Sequence, residues 1–251
     1  MRNVLTHHLR HFFLVLLLLA FSFGPMSAKA AGPIMHAYLG LKWLAVFAPD
    51  YDENAKREFI LGTLFPDIRY IGNIPRSKTH LKNISLVNIA KEQSPFIQGM
   101  QFHSYVDNMR FYFLKHHAIQ KNIDKLPNKH KSIFIKLIED QILFEQQNSW
   151  HTIKKYLVDP CDGEKNFDLD IATLTKWHLG LTYYFSALPS TILSQISMFN
   201  KGILMLDAPT VNAWSISIKE YASDEAFNQY ISDLVKYFDE KLSSEKPSLA
   251  R

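Results

Sequence analysis

The sequence is poor in cysteine, and its single one, Cys161, can form no disulfide within the chain. Stability must therefore come from packing or from bound metal rather than from cross-links. Internal repeats, low-complexity tracts and strand-type alternation of useful length are also missing. Hydrophobic residues make up 47% of the 251 residues and aromatic residues 13%, which is ample for a core. These features predict an all-α protein.

Long hydrophobic runs are scarce as well, and the clearest one lies near the N-terminus. Basic residues precede an apolar run from Phe12 to Phe23, and Ala28-Lys29-Ala30 follows it. This order predicts a signal peptide over residues 1–30 that is removed on export to the periplasm or the medium. The run is too short for a comfortable membrane span, and an uncleaved anchor is the alternative. Residues 31–251 would form a single all-α domain.

An excess of positive charge is also missing once the predicted leader is set aside. The chain carries a formal net charge of +4, but three of its 28 basic residues and none of its 24 acidic ones lie in residues 1–30. The remaining domain is therefore close to neutral. Nucleic-acid binding usually depends on a basic surface, so the charge does not favour nucleic acid as a partner, although it does not exclude it. The sequence gives no signal for or against self-association.

Proline residues and helical periodicity divide the rest of the chain into segments. Helices are predicted over residues 34–47, 54–64, 83–92, 96–114, 129–147, 150–158, 170–188 and 189–206. Residues 66–82 and 116–128 are predicted to be connections. A last helix is predicted to begin at a Ser223 cap, with Asp224 and Glu225 in its first turn and an apolar stripe that runs to Leu242.

The helix predicted over residues 96–114 carries an unusual polar pair. It is apolar on nearly every side, as buried helices are, yet His103 and Asp107 lie four residues apart and so share a face. Gly99 lies one turn earlier on that face and leaves room there. Burying an imidazole and a carboxylate is costly unless both are paired. A divalent metal would pair with both, and a direct His–Asp hydrogen bond is the simpler alternative.

Three side chains upstream of this pair favour the metal. His36 lies in the first predicted helix, and Asp67 and His80 lie in the connection before the central helix. Imidazole and carboxylate groups are the ligands that zinc takes in catalytic sites. Each residue alone is weak evidence, because isolated His and Asp residues are usually structural. The five together predict a site for one ion, with His36 reaching a second ion that Asp107 bridges.

The order of these residues resembles the zinc-dependent phospholipase C family. The matching segments are Met35-His36-Ala37, Gly62 to Asp67, Thr79-His80 and Phe102 to Asp107, all within about residues 31–114. The family is related to zinc-dependent single-strand nucleases and shares their all-α fold. The resemblance implies that one zinc ion is held by Asp67, His80, His103 and Asp107, and that a second is held by His36 and Asp107.

The resemblance also implies a role for the mature N-terminus. In the family, the amine and carbonyl of the first mature residue complete the second zinc site. Cleavage after Ala30 would make Ala31 that residue, five positions before His36, which resembles the nuclease branch. The family usually has tryptophan at this position, but the chelating atoms belong to the main chain.

The third zinc site of the family has no counterpart in the sequence. Phe113 stands where the family has a histidine, and Lys136-Leu137-Ile138-Glu139-Asp140 in the next helix lacks the family's histidine four residues before an acid. We predict that Arg110, one turn after Asp107, pairs with Glu139 or Asp140 and supplies positive charge where the ion would be. The alternative is that Arg110 and Glu139 are ordinary surface charges.

The function that the resemblance implies is hydrolysis of a phosphodiester by a zinc-activated water. Asp107 would bridge the ions, and Asp67 would be a ligand and a proton acceptor. A phospholipid headgroup ester is favoured as substrate, which implies contact with a membrane surface. Arg69, Arg76 and Lys78 in the connection before the central helix either bind phosphate oxygens or form a solvated face.

Three other functions fit the same residues. One is a single-strand nuclease. Another is a zinc-binding protein of this fold that has lost catalysis together with the third site. The last is a helical protein in which these residues are buried polar groups without metal.

Overall fold

A computed structural model describes residues 30–82, 84–126, 131–147, 150–199 and 208–245. The predicted signal peptide lies outside these residues, apart from Ala30. All regular structure in the described ranges is helical, and no strand occurs in them. The predicted all-α class is therefore confirmed, and the helices pack as a multi-helix bundle.

The helices are given in chain order. They are α1 (Pro33–Phe47), α2 (Glu53–Leu64), the 3-10 helix η1 (Phe65–Ile68), α3 (Arg69–Gly72), α4 (Arg76–Thr79), α5 (Leu86–Lys91), α6 (Pro95–His116), α7 (Gln120–Asp124), α8 (Lys131–Gln146), α9 (His151–Tyr156), α10 (Asp162–Lys165), α11 (Ile171–Tyr184), α12 (Pro189–Phe199), α13 (Ala208–Ala222) and α14 (Glu225–Ser244).

The two predicted connections and one missed helix are the main differences from the sequence prediction. Residues 66–82 form η1, α3 and α4 rather than an open loop, and residues 116–128 include α7. The segment Asp207-Ala208-Pro209 is typical of a break in the chain and predicts no helix, yet α13 begins at Ala208. Proline is tolerated in the first turn of a helix, where its missing N–H needs no partner. Residues 200–206, the end of the helix predicted over 189–206, lie outside the described residues.

The predicted cap of the last helix is wrong by one residue. The Asp224 carboxylate, rather than the Ser223 hydroxyl, accepts hydrogen bonds from the N–H groups of Ala226 at 2.8 Å and Phe227 at 3.3 Å. The hydroxyl of Ser223 instead donates to the carbonyl of Lys219 at the end of α13. A carboxylate is the stronger acceptor at a helix N-terminus, where the helix dipole favours negative charge.

The long helix α6 lies at the centre of the bundle and packs most closely against α2. A β-carbon at Gly62 would lie 2.1 Å from the carbonyl oxygen of Phe96, and one at Gly99 would lie 2.1 Å from the carbonyl oxygen of Phe59. These two glycines therefore let the helix backbones touch. The room that Gly99 leaves is filled by the backbone of α2, which brings the carbonyl of Thr63 to α6.

Helix α8 packs against α13, α1 and α14 and reaches α6 through a side-chain ion pair. Its Glu139 faces α6 and accepts a hydrogen bond from the Tyr230 hydroxyl of α14 at 2.7 Å. Its Asp140 faces the start of α1. In the described part of the chain, no helix is long and apolar enough to cross a membrane.

Candidate metal centre

Five side chains from α1, η1, the end of α4 and α6 converge in the bundle and form two overlapping groups that could hold a metal ion. The first group is Asp67, His80 and His103, and the second is His36, His103 and Asp107. Within each group the ligand atoms lie within 4.8 Å of one another. The carboxylate of Asp107 also extends between the groups, with Oδ1 3.3 Å from His36 Nε2 and Oδ2 3.8 Å from His80 Nε2.

His103 is fixed by the close crossing of α2 and α6. Its ring is fully buried, and Nδ1 lies 2.9 Å from the carbonyl oxygen of Thr63. A carbonyl can only accept, so Nδ1 carries the proton and Nε2 keeps its lone pair. That lone pair faces Asp107 Oδ2 at 3.6 Å and His80 Nε2 at 3.3 Å. A backbone partner on the far nitrogen is the usual arrangement of a metal-binding histidine.

His80 is held where the short helix α4 ends. Its Nδ1 lies 2.9 Å from the hydroxyl of Thr79, and the next N–H along the chain, that of Leu81, donates to Ser104 Oγ at 3.0 Å. The segment is thus tied to α6 beside His103. Two imidazole nitrogens 3.3 Å apart require a proton or a cation between them, because two lone pairs would repel each other.

His36 has buried polar atoms that lack partners. Its ring stacks on that of His103, with centroids 3.8 Å apart and an interplanar angle of 12°. Among the described residues, neither ring nitrogen of His36 has a hydrogen-bond partner, and the same is true of Asp107 Oδ2. Nε2 approaches Asp107 Oδ1 at 3.3 Å, but this contact lacks hydrogen-bond geometry. Buried polar atoms without partners cost free energy, and a metal ion fits both this cost and the donor types.

Electrostatics favour ligand-competent forms of these groups. Burial lowers the pKa of His103 to about 4, with the His36 ring adding to the effect. Burial likewise lowers the pKa of His80 to about 2, with His103 and then the cationic Arg76 and Arg69 adding to it. Burial would raise the pKa of Asp107, but the neighbouring imidazoles and the Ala31 N–H outweigh it, so that pKa lies below its usual range. Neutral imidazoles and an ionised carboxylate are the forms that bind metal.

The main-chain nitrogen of Ala31 lies in the same site. It donates a hydrogen bond to Asp107 Oδ1 at 2.9 Å, and the residue is almost completely buried. The resemblance to zinc-dependent phospholipases predicts a ligand at this nitrogen. In the structure the nitrogen and His36 Nε2 contact the same carboxylate oxygen.

The predicted pairing of Arg110 is present, and its partner is Glu139. The guanidinium donates to both carboxylate oxygens, from Nε at 2.8 Å and from Nη2 at 2.7 Å. Both side chains are fully buried, so the alternative of ordinary surface charges is wrong. Phe113 lies in an aromatic cluster with His117, Tyr230 and Tyr237.

Asp140, the other partner considered for Arg110, contacts the main chain of α1 instead. It accepts hydrogen bonds from the N–H groups of Ile34 at 3.3 Å and Met35 at 3.0 Å, and from the hydroxyl of Tyr184 at 2.9 Å. Burial raises its pKa to about 7.

Sequence reasoning missed the role of Lys136. Burial lowers the pKa of this ammonium group, while the charges of Asp67, Asp107 and Glu139 oppose the shift. The charge of Lys136 therefore acts on both aspartates of the ligand cluster. Its position one turn before Glu139, on a helix that buries an acidic residue, was the available signal.

Comparisons with protein-family models, with curated proteins and with solved structures gave no match to this chain. The resemblance of the ordered ligands to zinc-dependent phospholipases therefore stays a prediction. What the structure establishes is an all-α bundle that brings three histidines and two aspartates together as a candidate metal centre.

Proposed function

We propose that the protein is an exported, metal-dependent phosphodiester hydrolase of the zinc-dependent phospholipase C type. One observation carries this proposal. Side chains that are far apart in sequence converge in a buried cluster, in which His36 and Asp107 have polar atoms without hydrogen-bond partners among the described residues. A helical protein that used these residues only for packing would pair them with one another or replace them with apolar groups.

The donor set favours zinc, in one or two ions. Three imidazoles with carboxylates suit a borderline-soft ion that accepts tetrahedral nitrogen and oxygen ligands. Asp67, His80 and His103 would hold the first ion, with Asp107 beside them. His36, Asp107 and the amine of Ala31, which cleavage after Ala30 would free, would hold the second. Bound zinc would supply an activated water and would neutralise charge on the phosphoryl group.

The protein's own residues would orient and balance the site. The Thr63 carbonyl keeps His103 in the tautomer whose Nε2 is free. Asp67 is only partly buried, so its carboxylate is open to substrate and can accept a proton. Lys136, whose charge acts on Asp67 and Asp107, would supply positive charge for a phosphoryl oxygen. The Arg110–Glu139 pair keeps an additional cation buried beside Asp107.

The substrate proposed is a phospholipid headgroup ester. The near-neutral charge of residues 31–251 suits a substrate at a membrane surface better than a polyanionic nucleic acid. Arg69 and Arg76, whose charges reach His80, would contact the phosphate group. A zinc-binding protein without catalysis is the second candidate, and Phe113 favours it, because the resemblance implies a third-site histidine at that position.

The test compares two substrates on the purified, zinc-loaded protein. Release of phosphorylated headgroup from mixed phospholipid vesicles is measured against release of nucleotides from single-stranded DNA. We expect headgroup release that Asp107→Asn abolishes and His116→Ala preserves, because His116 lies exposed on the same helix. Nucleotide release alone would identify a nuclease. Bound zinc without either product would favour the second candidate, and a protein without bound metal would contradict the proposal.

A further inference from the structure

The helix that carries His36 has no N-terminal cap of its own. Gly32 occupies the cap position of α1 and has no side chain, and the first turn contains no acidic residue. The free N–H groups of a helix start need acceptors when they are buried. In this protein the carboxylate of Asp140, on α8, accepts from Ile34 and Met35. Asp140 therefore caps α1 from a different helix.

The surroundings of Asp140 leave the start of α1 little freedom. The Tyr184 hydroxyl of α11 donates to Asp140 Oδ2 at 2.9 Å, so three helices meet at this carboxylate. A β-carbon at Gly32 would lie 2.3 Å from Asp140 Oδ2 and 2.6 Å from Oδ1. Only glycine therefore allows the main chain to approach the carboxylate so closely.

The capped turn is also the turn that supplies the second half of the metal centre. Its N–H groups immediately precede His36, and the His36 N–H donates to the carbonyl of Gly32 at 3.1 Å. On the other side of Gly32, the nitrogen of Ala31 lies 2.9 Å from Asp107 Oδ1. Ala31, just before α1, and His36 within it thus lie three and two residues from Ile34, whose N–H contacts Asp140.

We propose that Asp140 is a positioning residue for the metal centre, which caps α1 and thereby holds Ala31 and His36 against Asp107. Asp140 would not contact the ion itself. Removing the cap should release the first turn of α1, while Asp67, His80 and His103 keep their places on η1, α4 and α6. The metal part of this inference rests on the proposed function, whereas the capping part does not.

The capping part is tested by hydrogen exchange of the metal-free protein. We expect the amides of Ile34 and Met35 to exchange at least about ten times faster in Asp140→Asn than in the wild type, since asparagine offers one acceptor oxygen where the two N–H groups use two. Gly32→Ala is a second variant that keeps Asp140 but pushes the main chain away, and it should show the same loss. Unchanged protection in both variants would overturn the inference, whether or not the protein binds metal.

The metal part is tested by zinc titration of the same proteins. We expect the wild type to bind two equivalents, and Asp140→Asn and Gly32→Ala to lose roughly 10–100-fold in affinity for the second only, the usual range for residues that orient ligands. Glu164→Gln is the matched control. Glu164 is also a buried carboxylate, but it accepts a hydrogen bond from the Cys161 N–H and contacts His178 Nε2, away from the site.

Equal loss of both equivalents in Asp140→Asn and in Glu164→Gln would mean general destabilisation and would overturn the inference. A wild type that binds no zinc would contradict the proposed function, and the exchange result alone would then decide the role of Asp140.

Discussion

Arg110 of α6 and Glu139 of α8 form a bidentate ion pair, with N–O distances of 2.7 and 2.8 Å. Neither side chain reaches solvent. Removing one partner leaves the other charge buried and uncompensated, so Arg110→Met should lower the free energy of unfolding by about 3–5 kcal/mol. Urea denaturation of the purified protein measures this change.

The double variant Arg110→Met with Glu139→Leu separates the effect of an unpaired buried charge from the effect of altered packing. It removes both charges and should recover most of the lost stability. Lys165→Ala breaks an exposed pair with Asp162 and should leave the denaturation curve unchanged. An Arg110→Met protein as stable as the wild type would show that the pair is not buried in solution.

The crossing of α2 and α6 depends on Gly62 and Gly99. Gly99→Ala would place a β-carbon 2.1 Å from the carbonyl oxygen of Phe59 and 2.8 Å from the nitrogen of Thr63. The two helices must then separate, which costs packing and moves the Thr63 carbonyl away from His103. We expect a loss of at least about 2 kcal/mol of stability together with weaker zinc binding, measured by denaturation and by titration.

A glycine in a neighbouring helix gives the control for this prediction. A β-carbon at Gly40 of α1 would lie 3.1 Å from Ile60 Cδ1, the end of a flexible side chain. Gly40→Ala should therefore cost much less, and zinc binding should persist. Equal effects of Gly40→Ala and Gly99→Ala would contradict the importance of the close crossing.

The parts of the site that share one helix could be predicted from sequence, because helical geometry fixes them. Spacing by four residues places His103 and Asp107 on one face wherever α6 packs. The same spacing places Arg110 one turn after Asp107. The resemblance predicts its pairing with Glu139 or Asp140, and only the structure decides for Glu139.

Contacts between separate helices could not be predicted in this way. Asp140 was considered only as a partner for Arg110, since nothing local indicates that a residue of α8 caps α1 across more than a hundred positions. The role of Lys136 could not be predicted, because it depends on which face of α8 packs towards the ligand cluster. Helix α13 differs from the prediction for a local reason. Proline often marks the end of a helix, but Pro209 lies in the first turn of this one.

The stability of the metal-free protein should depend on the protonation of His103. Its pKa is about 4 in the folded state, because of burial and the His36 ring, against an ordinary value of 6.5. The neutral ring contributes stability that is present above pH 6.5 and is lost as the pH falls towards 4. The loss is on the order of 3 kcal/mol. The stability advantage of the wild type over His103→Gln should shrink accordingly, in urea denaturation with a chelator.

Asp140 gives a control of opposite sign. Burial raises its pKa from 3.8 to about 7, so the folded state binds this proton more tightly than the unfolded state. Stability is then lost as the pH rises from about 4 to 7, and the wild type should gain on Asp140→Asn as the pH falls. Each effect is measured as the free energy of unfolding of the wild type minus that of the variant at each pH, so the His103 and Asp140 effects do not mask each other. Differences that stay constant with pH for both variants would contradict these pKa shifts.

Zinc should stabilise the folded protein through His103. A ligand that binds only the folded state adds about 2.7 kcal/mol at a free concentration of 100 times its Kd. Added zinc should therefore raise the melting temperature of the wild type, and a chelator should lower it again. His103→Ala removes the ligand shared by both groups of the centre, so its melting temperature should not respond to zinc.

His116→Ala is the matched variant for this measurement. His116 lies on the same helix, but its ring is exposed and its Nδ1 contacts the carbonyl of Tyr112 rather than the cluster. Its zinc response should equal that of the wild type, and elemental analysis after dialysis should find the same metal content in both. A zinc shift that survives in His103→Ala but disappears in His116→Ala would place the metal at the surface of α6. The buried histidines would then be structural, because the ion would bind outside their cluster.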